Sequence, residues 1–143
     1  MWSNFHNFLN TLLKPESGIG RRLFLIVSQL TPIVNVELII KDNLNQILLI
    51  YREDEFYGPG WHLPGGILRF KENINSRIYI TLDNELGINQ RKVENFYLID
   101  CFEIIHKKKV LRSHFISMIY MVRLLDEKFE LPLFESAFKD GHE

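Results

Sequence analysis

The stretch Trp61–Ile88, WHLPGGILRFKENINSRIYITLDNELGI, decides how the rest of the chain is read. A proline followed by two adjacent glycines, Pro64-Gly65-Gly66, marks a tight backbone event. Residues 73–86 then read as one helix that stops at Gly87, a residue suited to the left-handed end of a helix. On that helix Ile74, Ile78, Leu82 and Leu86 fall on one apolar stripe at about 100° per residue. Glu85 lies at the edge of the same stripe. An inward carboxylate is costly unless it is paired, hydrogen-bonded or metal-bound. Arg77, Thr81 and Glu85 are spaced i, i+4, i+8 and line one flank. Glu85 therefore reads either as a metal ligand or as the partner of Arg77. Glu72 reads as an acid favoured by the helix dipole or as a second functional carboxylate.

Outward from this stretch, residues 33–41 and 46–51 are β-rich runs separated by Asp42 to Asn45, the pattern of a hairpin. Residues 52–60 are polar and contain glycine, so a loop is expected. Residues 95–105 and 110–124 read as two more strands joined by a turn at 106–109, whose lysines form a solvated tip. Before Pro32 the grammar is helical. Phe5, Phe8, Leu9, Leu12 and Leu13 recur at helical spacing behind Ser3, Pro15 and Gly18 break the pattern, and a second helix is expected over 21–30.

Composition narrows the function classes. The chain has 143 residues, 46% hydrophobic and 24% charged, the profile of one globular domain rather than a disordered chain. Seventeen Lys plus Arg against 18 Asp plus Glu give a net charge of -1, so nothing global draws nucleic acid or an anionic membrane. No apolar run reaches the ~18 residues of a membrane helix. Residues 1–13 lack the cationic start and cleavage site of a signal peptide. The single Cys101 forms no internal disulfide and reads as a small apolar filler in a reducing compartment. A cytoplasmic protein is expected.

The segment from Gly66 to Ile88 resembles the Nudix box, which reads Gly, five residues, Glu, seven residues, then Arg-Glu-apolar-any-Glu-Glu-any-Gly-apolar. Gly66, Glu72, Leu82, Glu85, Gly87 and Ile88 match in type and spacing, and Trp61 to Gly66 is similar to the run that leads into the box. The resemblance spans residues 32–124. It implies an α+β fold, the Nudix-type α/β/α sandwich with a mixed β-sheet. Residues 1–30 then form an added N-terminal helical extension, and residues 31–143 the Nudix domain. Three box positions differ: Ile80 stands for the Arg, Thr81 for the next Glu and Asn84 for the first Glu of the pair. In the usual diphosphatases the carboxylates hold Mg²⁺. One metal is compatible with this depleted box, and a cluster of several is not.

A subfamily keeps a box depleted in this way, the GDP-mannose mannosyl hydrolases, and Thr81 and Asn84 fit its pattern. By that resemblance Gly66, Glu85 and Glu72 hold Mg²⁺, with Mn²⁺ as the alternative ion. Arg52 neutralises the diphosphate, Glu37 and His114 orient the sugar or the leaving group, and Arg69 stands near the place of a second Arg. The tail resembles a loop that carries the catalytic base, with His142 in its place. The resembling enzymes continue beyond that point, so the domain reads as short at its C-terminal end. The implied reaction is hydrolysis of GDP-mannose to GDP and mannose, by C–O cleavage with inversion at the anomeric carbon. The implied partner is the nucleotide-sugar substrate, with a second copy of the chain in a homodimer. Two other readings stay open. One is a Nudix pyrophosphohydrolase that cuts a P–O bond. The other is an inactive Nudix-fold module that binds a nucleotide or a protein.

Overall fold

In the computed structural model, residues 3–4, 20–42 and 44–125 are described. They build α1 (Arg21–Val27), β1 (Ile33–Ile40), β2 (Ile50–Asp54), β3 (Gly58–His62), β4 (Gly65–Ile67), α2 (Ile74–Leu86), β5 (Val93–Ile105) and β6 (His114–Leu124). The helix expected at Phe5 to Leu13 lies outside the described residues, as do Gly141 and His142.

A mixed four-stranded sheet runs in the order β4-β1-β6-β5, with β2 and β3 as a separate two-stranded hairpin. β1 pairs with β6 in parallel and with β4 antiparallel, and β5 pairs antiparallel with β6. Side chains alternate across β1, so Val36, Leu38 and Ile40 share one face. That face meets the α2 stripe, Ile78, Leu82 and Leu86, together with Leu48, Ile50, Ile88 and Val122, to form the core. Ile33, Asn35, Glu37 and Ile39 alternate to the other side.

α2 forms where the sequence places it. Asn73 caps its start by accepting from the Ser76 N–H at 2.8 Å, and Gly87 ends it at φ 62°. The Gly87 and Ile88 N–H groups donate back to Asp83 and Leu82.

Five expectations are corrected. Residues 52–60 are a hairpin, not a loop. The Asp54 carboxylate accepts from the Phe56 and Tyr57 N–H groups at 2.7 and 2.9 Å, and Gly58 takes φ 75°. Backbone pairing orders a run whose side chains carry no strand pattern. Conversely, residues 46–49 form no strand: around an isolated Lys41–Ile47 bridge, the Leu48 N–H donates to the Ile40 carbonyl at 2.9 Å and the Asp42 N–H to the Gln46 carbonyl at 3.1 Å. The helix over 21–30 stops at Val27, with turns at 28–30. β6 starts at His114 rather than at 110, because Arg112 adopts φ 47° and the His106 N–H closes the loop on the Ser113 carbonyl. Cys101, read as a small apolar filler, is exposed on β5.

Candidate active site

β4 opens on the double glycine, just after the Leu63-Pro64 connection from β3, and the candidate groups gather around it. Gly65 lies opposite Glu37 on β1. A side chain at Gly65 would stand 2.9 Å from the Val36 carbonyl oxygen and 3.0 Å from Glu37 Cγ. Only glycine permits β4 to approach β1 this closely. A side chain at Gly66 would meet Arg77 and Thr81 on α2. The two glycines thus face opposite sides of the sheet and let α2 settle onto β4.

Glu85 is turned inward, with 12% of its side chain exposed. Its Oε2 accepts from the Gly65 N–H at 3.2 Å and faces Arg52 Nη2 at 3.4 Å. Arg52 Nη2 also donates to the Leu63 carbonyl at 3.1 Å. Burial raises the Glu85 pKa above the ordinary carboxylate value, and Arg52, the Gly65 N–H and Arg77 oppose the rise. Both contacts are long, so the carboxylate is held without being saturated. Glu37 approaches Gly65 from the other face of the sheet, where its Oε1 accepts from the buried Ser117 hydroxyl at 3.3 Å.

Glu72 is committed elsewhere. It accepts two hydrogen bonds from Arg77, Nε to Oε2 at 2.9 Å and Nη2 to Oε1 at 2.7 Å, and a third from the Arg69 N–H at 2.9 Å. The partner of Arg77 is therefore Glu72 and not Glu85. Lys71, at φ 60°, turns the chain so that a residue ahead of the helix folds back onto it.

Arg69 and His114 stand apart from this cluster. Arg69 follows β4 at the Ile33 end of β1. His114 opens β6 and pairs through Nε2 with Glu103 Oε1 at 2.8 Å. On β6 the residue level with Glu37 is Ile119, five positions beyond His114, roughly 16 Å along the strand. Of the aromatic residues near the hairpin, Phe56 packs on Arg112 at 5.2 Å, and the Tyr57 hydroxyl donates to the Arg112 carbonyl. Desolvation raises the Tyr57 pKa. Trp61 is exposed and meets Tyr51 edge to face. The sequence did not single out His62. Its only local signal is its place next to the double glycine on a strand it shares with Trp61.

The donor set limits what metal the site takes. Among the described residues no three His, Cys, Asp or Glu side chains converge on a cation position. With Glu72 bound to Arg77, Glu85 is the inward carboxylate left at the Gly65 N–H. This set fits one Mg²⁺ or Mn²⁺ completed by water and phosphate oxygens, and does not fit a cluster of ions.

A mixed sheet with this order, a glycine-led strand and a helix carrying an inward carboxylate at its end make up the Nudix fold. The chain aligns with a Nudix hydrolase from Nitrosomonas europaea at a TM-score of 0.56 and 14% identity, over 73% of this chain and 67% of that one. It aligns with a MutT Nudix hydrolase from Burkholderia pseudomallei at a TM-score of 0.55 and 23% identity, over 67% of this chain and 75% of that one. A curated protein, the low-salt glycan biosynthesis protein Agl8 of Haloferax volcanii, is 29% identical over 114 residues, 76% of this chain and 69% of that protein. No family model matches the chain. Among the described residues no helix is long and apolar enough to cross a membrane.

Proposed function

We propose that the chain is a Mg²⁺-dependent Nudix hydrolase of a nucleotide sugar, with GDP-mannose the favoured substrate and Mn²⁺ the alternative ion. The observation that carries this is the inward carboxylate of Glu85, held at the Gly65 N–H beside Arg52. Glu85 and the Gly66 carbonyl would hold the ion, whose charge neutralises the diphosphate leaving group. Arg52 lies within reach of both Glu85 and Leu63 and would turn its guanidinium onto a phosphate oxygen. Glu37 would orient the sugar. His114 and Arg69 would reach only the distal end of a long substrate. His142, the base of the resembling loop, would activate the attacking water. A diphosphate neutralised in this way leaves without a strong general acid, which suits C–O cleavage by a site with one carboxylate.

The Haloferax volcanii protein is named for glycan biosynthesis, which supports a sugar-bearing substrate. P–O cleavage is disfavoured by Thr81 and Asn84. The Arg52–Glu85 pair favours, as a second reading, a module that binds the nucleotide without turning it over. NMR of GDP-mannose incubated with the protein and Mg²⁺ separates these readings. GDP plus β-mannose is expected. GMP plus mannose 1-phosphate would replace the proposal by a pyrophosphohydrolase, and binding without products by the module.

Our reading includes a cytoplasmic setting, which the exposed thiol of Cys101 fits, and a homodimer. Among the described residues β5 is a 13-residue edge strand with Leu98, Ile99 and Phe102 exposed, a ladder that a second copy would cover. Sedimentation at micromolar concentration should give the dimer mass; a monomer at every concentration ends that part of the proposal.

A further inference from the structure

We infer that His62 is a substrate-contacting residue of this site, its imidazole placed to donate a hydrogen bond from Nε2 to an oxygen of the bound diphosphate. The inference rests on the nucleotide reading above. His62 closes β3 opposite Ile50, and Gly60 stands opposite Arg52. Residues paired across a hairpin share a face, so Ile50, Arg52, Gly60 and His62 lie together. Ile50 belongs to the core beside Leu82 and Leu86 of α2. That face therefore points inward, toward the end of α2 where Glu85 stands. Tyr51 and Trp61 occupy the opposite face and meet each other there.

Arg52 and His62 are diagonal neighbours across the hairpin, about 7–8 Å apart and within reach of long and aromatic side chains. Gly60 puts no side chain between them. His62 Nε2 lies 3.5 Å from the point where a Gly60 Cβ would stand, so the ring leans over Gly60, the residue opposite Arg52. The guanidinium of Arg52 in turn reaches the carbonyl of Leu63, the residue after His62. The imidazole and the guanidinium thus flank one position at the mouth of the double glycine.

His62 Nε2 is buried and, among the described residues, has no hydrogen-bond partner. A buried polar atom left unpaired opposes folding, and such atoms call for a functional explanation. A neutral imidazole protonated at Nε2 donates one hydrogen bond, and a phosphate oxygen beside Arg52 accepts it. No bond is made or broken in this step. A ligand without an acceptor at that position leaves the imidazole unpaired and binds more weakly.

The test is calorimetric titration of the full chain with GDP in the presence of Mg²⁺, paired with thermal unfolding. His62→Leu should bind GDP on the order of 10-fold more weakly while unfolding at the same or a higher temperature, because it removes an unpaired polar atom. His62→Gln, whose amide N–H stands near the position of Nε2, should recover part of the binding. In the wild type, the ¹⁵N resonance of His62 Nε2 should shift when GDP is added, a readout that needs no variant to fold. Wild-type affinity in His62→Leu, or an Nε2 resonance unmoved by bound GDP, would overturn this assignment alone. Failure of the wild type to bind GDP would overturn the nucleotide reading and this inference with it.

Discussion

Glu85→Gln should lower turnover on the order of 100-fold or more and yet leave the protein more stable at neutral pH. The two effects have one cause. Burial raises the Glu85 pKa, and Arg52 and the Gly65 N–H only partly offset it. The folded chain therefore keeps the Glu85 proton to a higher pH than the unfolded chain does. Between the two pKa values the folded state binds more protons, so its stability falls as pH rises through that window and stays lower above it. Glutamine keeps the shape and an acceptor for the Gly65 N–H but carries no charge to desolvate. The gain in stability should shrink below the ordinary carboxylate pKa, where Glu85 is protonated in both states. Thermal unfolding at several pH values, read beside the NMR rate, checks both halves. An unchanged rate would remove Glu85 from the site.

The largest loss of stability is expected from Arg77→Ala. Arg77 and Glu72 form a two-pronged pair with 8% and 12% of their side chains exposed. Removing one partner of a buried pair strands the other charge, at a cost of about 3–5 kcal/mol. That corresponds to a fall in Tm on the order of 10 °C. Arg77 also lies against Gly66, 3.3 Å from where a Cβ would stand, so the loss should loosen β4 and weaken nucleotide binding as well. The double variant Arg77→Met/Glu72→Gln should recover much of the stability, because it removes both charges. Urea unfolding of the three proteins measures this. A loss below about 1 kcal/mol for Arg77→Ala would mean that the pair is not buried in solution.

α2 and its caps were legible because helix periodicity, an Asn at the start and a Gly past the end are local signals. The inward turn of Glu85 followed from the same count of residues. The partner of Arg77 did not. The spacing Arg77–Thr81–Glu85 describes a straight helix, whereas Glu72 reaches Arg77 through the non-helical turn at Lys71. The continuation of the second strand past Tyr51 and its β3 partner were hidden for another reason. Residues 52–60 alternate no apolar side chains, and their order comes from backbone pairing and from the Asp54 carboxylate that closes the turn. His62 gave little sign, since its meaning depends on Gly60 and Arg52, which come beside it only when the hairpin closes. His114 shows the converse: its place in an apolar strand was clear, but only the register of β6 against β1 fixes its distance from Glu37.

The central claim is that one carboxylate and a double glycine hold a single ion together with a diphosphate. Titration of the protein with Mn²⁺, followed by electron paramagnetic resonance with and without GDP, tests it most directly. One Mn²⁺ per chain is expected, bound tightly only when GDP is present and lost in Glu85→Gln. Two or more tightly bound ions per chain, or full binding by Glu85→Gln, would contradict it.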